Sequence, residues 1–177
     1  MAVTANAISG PYYGSYNGTY IGATEDGFEL EHTLYSEPVR GDNLGDSIQD
    51  EIHRGCDVYV NFTLIEYNKG RLAAAAVSGS KIDWTQAAPG VNGVIGDVIT
   101  DTAAALVLTA LSNTTASASP ASITFTKSAL ARNFPVRVLF ASRLRRLPLR
   151  LISYPDGSGG SSQAASYNES IKWYTTS

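Results

Sequence analysis

Two histidines, one cysteine and a run of spaced acids are the residues of this chain with the types to do chemistry, and their spacing argues against it. His53 and Cys56 lie three residues apart, but no third residue orients the imidazole as an activated thiol requires. Asp42, Asp46 and Asp50 recur every fourth residue, wider than the alternating acids of a calcium loop, and no His/Cys cluster supplies a transition-metal site. The glycines at 157–160 precede neither Lys-Ser/Thr nor a helix, so they are not a phosphate cradle. His32 falls in register with Phe28, Leu30 and Leu34, which predicts a hydrogen-bonded core or interface histidine. The expectation is a protein that is not an enzyme and carries no cofactor or metal.

Charge is the more informative pattern. Residues 1–66 hold eleven acids against two bases, Arg40 and Arg54, a balance of −9, whereas 127–150 hold seven bases and no acid, inside a chain of net charge −3. Such segregation predicts head-to-tail pairing between copies, a heterologous contact that generates rings or filaments. The Arg-rich run 142–150 has the composition of a nucleic-acid patch. Its alternating leucines put it on a half-buried strand, however, and arginine pairs well with carboxylates across protein interfaces. Protein contacts are therefore the preferred reading. Arg40, Asp42, Asp46, Asp50 and Glu51 on one side, with Arg143, Arg145, Arg146 and Arg150 on the other, are the candidate inter-subunit residues.

These charges must sit on strands. At 177 residues with 44% hydrophobic and 16% charged content, the chain suits one lightly charged domain with a real core. Period-2 alternation marks strands over 28–35 and 57–66, where Val58, Val60, Phe62 and Leu64 share a face. Further strands are expected in 94–111, at 122–126, 135–141 and 146–154, and in the closing segment around Trp173. The acidic stretch 37–55 between the first two fits either a short helix at 47–53 or a long extended hairpin. Residues 1–18 read as a loosely ordered N-terminal arm, 69–77 as a helix rich in alanine, and 156–166 as a flexible Gly/Ser loop. The expected fold is mainly β, a β-sandwich or partly open barrel with one flanking α-helix. The lone Cys56 allows no internal disulfide, the N-terminus lacks the features of a secretory signal, and no apolar run reaches bilayer length. The Asn-x-Ser/Thr matches at Asn17, Asn61, Asn113 and Asn168 are accordingly read as chance.

The segment 22–76 resembles the N-terminal half of tail tube and related tail proteins of tailed bacteriophages. The matching residues are Glu37-Pro38-Val39, Gly45-Asp46, Asp50-Glu51-Ile52, Gly55, Val60-Asn61-Phe62-Thr63-Leu64 and Glu66-Tyr67; residues 134–155 and the closing IKWYTTS resemble the family's late strands. The resemblance implies a single tail-tube-like domain over 1–177, whose sheets join those of its neighbours into a ring-shaped barrel, with six-fold rings stacked into a conduit for genome DNA. It implies as partners further copies of the chain, other tail proteins (sheath, terminator, baseplate or tape measure) and, transiently and without sequence specificity, DNA. No membrane is involved. The implied location is the virion tail, assembled in the host cytoplasm. A lumen that passes DNA must not hold phosphate, which makes Glu29 and Glu31 candidate lumen-facing residues and 37–55 a candidate arm reaching another subunit. The competing readings are a tail terminator or tube-initiator ring, a capsid decoration protein, and a carbohydrate-binding sandwich using Tyr12, Tyr13, Tyr16 and Tyr20.

Overall fold

The computed structural model describes residues 11–40, 47–66, 82–83, 90–91, 98–111, 122–135, 137, 146–155 and 174–176. They are mainly β: β1 (Tyr12–Tyr16), β2 (Thr19–Tyr20), β3 (Thr24–Arg40), β4 (Ile48–Leu64), β5 (Ile82–Asp83), β6 (Gly90–Val91), β7 (Ala104–Ala110), β8 (Ser122–Leu130), β9 (Leu147–Tyr154) and β10 (Thr175–Thr176), with a single turn of helix, α1 (Ile99–Thr102), before β7. Eight strands make one antiparallel sheet in the order β2-β1-β7-β8-β9-β4-β3, with β10 paired to β8 at Ile123–Thr124. Strands β5 and β6 form a separate two-stranded pair.

Alternation decides which face is the core. Val58, Val60, Phe62 and Leu64 of β4 lie opposite Ser153, Leu151, Leu149 and Leu147 of β9, so one face of both strands is filled with branched apolar side chains. Tyr16, Leu106, Leu108 and Phe125 complete this buried inner face. Each such side chain removed from water contributes about 1.5–3 kcal/mol. The sheet rolls over its own core without closing into a barrel. Gly14 marks where its ends approach: a Cβ there would sit 2.8 Å from both Ile21 Cδ1 and Phe28 Cζ, so β1 can meet the start of β3 only with glycine at this position. The hydroxyl of fully buried Tyr16 reaches past β7 and donates to the Ser128 carbonyl at 2.7 Å, which ties β1 into the core.

Several expectations change. Residues 12–16 of the supposed loose arm are a strand, because Tyr12, Gly14 and Tyr16 alternate toward the core and the backbone pairs along β7 from Tyr12↔Ala110 to Tyr16↔Leu106. Burial of Tyr16 also removes it from any exposed aromatic platform. Of the two options for 37–55, the extended hairpin is the one formed. Glu37, Pro38, Val39 and Arg40 pair with Ile52, Glu51, Asp50 and Ile48, so a cross-strand partner takes the backbone groups that a short helix would have used. Asp101 belongs to α1, not a strand. His32 is exposed rather than in the core, with its ring 5.7 Å from that of Tyr174. Pro135 and Arg137 lie outside any strand. The helix expected at 69–77, the loop at 156–166, Trp173 and the rest of the strand expected at 135–141 lie outside the described residues.

Candidate assembly surface

The last strand pairing of β4 with β9 is Val58↔Ser153, yet β3 and β4 continue pairing to Arg40↔Ile48. Beyond Leu34↔Cys56 they form a two-stranded ribbon that projects from the sheet by roughly 20 Å, at about 3.3 Å per residue. A bulge marks its root. Gly55 takes φ +145°, a conformation L side chains rarely adopt, and the register shifts between Tyr35↔Gly55 and Ser36↔His53. The ribbon carries apolar side chains that nothing covers: Leu34 is 71% exposed, Ile52 54% and Ile48 53%. Its described polar contacts are local to the ribbon. Ser36 Oγ donates to Glu51 Oε2 at 2.9 Å, the Glu51 amide donates to Asp50 Oδ1 at 2.8 Å, and Arg54 pairs with Glu37.

The outer face of the proximal sheet contrasts with this. Register places Glu29, Asn61 and Arg150 side by side on β3, β4 and β9, with Glu31 and Tyr59 in the next row. The Arg150 guanidinium pairs with Glu31 Oε1 at 2.8 Å and lies over the Tyr59 ring at 4.1 Å. Asn61 Nδ2 donates to Glu31 Oε2 at 3.1 Å and to Glu29 Oε2 at 3.3 Å. One strand-end away, Arg146 pairs with Glu25 at 2.6 Å. Thus the acidic first third and the basic last third of the chain meet within one subunit, because β4 sits between β3 and β9. Charge segregation along the sequence does not by itself make two oppositely charged surfaces.

The sequence-derived candidates divide accordingly. Arg40, Asp50 and Glu51 are exposed on the ribbon. Arg146, Arg150, Glu29 and Glu31 belong to the sheet face, where Arg146 and Arg150 have carboxylate partners of their own. Asp42, Asp46, Arg143 and Arg145 lie outside the described residues. Tyr13 and Tyr20 meet edge to face at 62°, with centroids 6.2 Å apart, and so do not form a flat stacking platform.

Sequence reasoning missed one feature, a notch of about 380 Å³ at the root of the ribbon, lined by Tyr35, Arg54, Cys56, Asp57, Arg132 and Tyr154. Asp57 Oδ2 accepts hydrogen bonds from Tyr35 at 2.8 Å and Tyr59 at 3.3 Å. The bond to Asp57 raises the Tyr35 phenol above its ordinary value, and partial burial raises Tyr154. Burial, reinforced by the Asp57 charge, likewise raises the Cys56 thiol. Only the turn after β8 brings Arg132 here, and nothing in local spacing announces it. Among the described residues no three His, Cys, Asp or Glu side chains are grouped as metal ligands, and no helix is long and apolar enough to cross a membrane. No protein-family model matches the chain, and no curated protein matches it either.

Proposed function

We propose that this chain is a structural subunit of a bacteriophage tail tube, assembling as stacked, hexameric rings that form a conduit for genome DNA. The observation that carries the reading is the projecting ribbon. A two-stranded hairpin is marginally stable alone in water, and one that exposes Leu34, Ile48 and Ile52 gains most from burial against another subunit.

Two further features support it. The sheet ends on β3, a strand of seventeen residues whose outer edge has no partner among the described strands. Such an edge invites pairing with a neighbour's sheet, and a closed ring of subunits removes the liability that it poses on a lone domain. In that arrangement the sheets of adjacent copies join into a barrel around the lumen. The outer face bearing Glu25, Glu29, Glu31 and Asp57 with Lys127, Arg146 and Arg150 retains one net negative charge, which suits a wall that DNA passes without binding.

Negative-stain electron microscopy of the purified chain, over a range of concentration and salt, tests the proposal. Hollow tubes of uniform width are expected. Discrete single rings would move the assignment to a terminator or initiator, and a chain that stays monomeric or trimeric at every concentration would overturn it in favour of a decoration or binding protein.

A further inference from the structure

If the ribbon is an assembly arm, it needs a receptor. The Arg-rich strand is poorly placed for that role, since Arg146 and Arg150 are paired with Glu25 and Glu31 of their own subunit. We propose that the receptor is the notch at the ribbon's root, and that the distal ribbon of a second copy seats in it with its acids toward Arg132. The inference rests on the assembly reading above and adds the site that the arm occupies.

Three observations converge on the notch. Arg132 is exposed and makes no ion pair or hydrogen bond with the described residues, unlike Arg54, Arg146 and Arg150. The cavity has the size of a site for a short peptide segment, with phenol rings of Tyr35 and Tyr154 for walls and nearly buried Ile152 and Ser153 beneath. Its one carboxylate, Asp57, is already held by two phenols. The distal ribbon is complementary: exposed Asp50 and Glu51 outnumber Arg40 there, beside exposed Val39 and Ile48. An acid meeting Arg132 while Ile48 covers the phenol rings joins charge pairing to apolar burial, which neither surface achieves alone.

The contact allows two geometries, and the tube reading selects one. Antiparallel ribbons would fill each other's notches and close as a dimer, so crosslinking that stops at dimers would contradict stacking. With parallel ribbons each copy is displaced along the ribbon axis, and that contact is heterologous and stacks without closing. Ribbon length then fixes the axial repeat. Adding two residues to each strand keeps every side chain on its face and is expected to lengthen the repeat by about 7 Å.

Cys56, the chain's single cysteine, lines the notch and serves as a probe. In an Ile48→Cys variant, a short bismaleimide at mildly alkaline pH is expected to link residue 48 of one copy to Cys56 of the next, giving a ladder of dimers, trimers and longer chains. The ladder should vanish in Ile48→Cys/Cys56→Ser. It should fall several-fold with Arg132→Glu at low salt and recover when Asp50→Arg is added. Tubes or rings seen by microscopy without this ladder would overturn the notch as receptor while leaving the assembly reading in place. A ladder that persists without Cys56 would overturn it too. A chain that neither assembles nor crosslinks would remove both.

Discussion

Between Phe28 and His32, strand β3 belongs to a three-strand layer with β4 and β9; from Thr33 to Arg40 the same strand has only β4 beside it. The alternation of side chains continues through both regions, and their fates differ. Proximally, Phe28 packs on Phe62 with ring centroids 5.3 Å apart, and Glu31 finds Arg150. Distally, Leu34 and Ile48 face water, and acids outnumber bases. The difference teaches that burial and charge pairing both depend on a third strand. Where β9 stops, an otherwise similar pattern is left exposed.

Truncation in the proximal core gives the largest expected contrast. Phe62→Ala should cost about 3–5 kcal/mol of folding stability and Leu151→Ala about 2–5, whereas Ile52→Ser on the ribbon should stay within about 0.5 kcal/mol. Urea unfolding of dilute, unassembled protein measures all three. A cost at Ile52 comparable to that at Leu151 would mean that the ribbon is packed within its own subunit. Gly14→Val comes next: its branches must displace Ile21 and Phe28, so a loss of about 1–3 kcal/mol is expected where the sheet ends meet.

The charged face should matter less. A double-mutant cycle over Glu31 and Arg150, both part-exposed, is expected to give a coupling of about 0.2–1 kcal/mol that shrinks with salt. Zero coupling at low salt would break the claim that these charges satisfy each other within the subunit. The smallest effect is alkaline. Tyr154 has its phenol raised in the folded chain above the ordinary value of 10.0, so its contribution is fully present below that pH and is lost as pH rises through the folded value. Melting temperature followed above pH 10 should therefore fall less steeply in Tyr154→Phe. An identical slope in the two proteins would remove the phenol from the explanation.

Much of the sheet was legible in the sequence. Alternation at 57–66 and 146–154 identified β4 and β9 and their inward residues, since a strand buried on one face must show period 2. The loose-arm reading of 1–18 failed because a Gly- and Tyr-rich stretch looks irregular until its partner β7 is known. The exposed position of His32 was illegible for a similar reason: it lies in one row with buried Val58 and Ser153, and what covers each end of that row is a tertiary fact. The candidate surface was half legible. The stretch 37–55 stood out by charge and length, and extended hairpin was one of the two forms it allowed. Pairing of Glu31 with Arg150, 119 positions apart, and convergence of Arg132 with Tyr35 depend on strand order, which no local spacing encodes.

The central claim, that the distal ribbon serves assembly and not folding, is tested most directly by trimming it. Residues 37–52 are replaced by Asn-Gly, a two-residue turn suited to closing β3 onto β4 between Ser36 and His53. Sedimentation velocity and thermal melting are then compared with the intact chain. The expected result is a monomer at concentrations where the intact chain forms large assemblies, with melting shifted by no more than a few degrees. A trimmed chain that assembles like the intact one would contradict the claim, as would one that no longer folds.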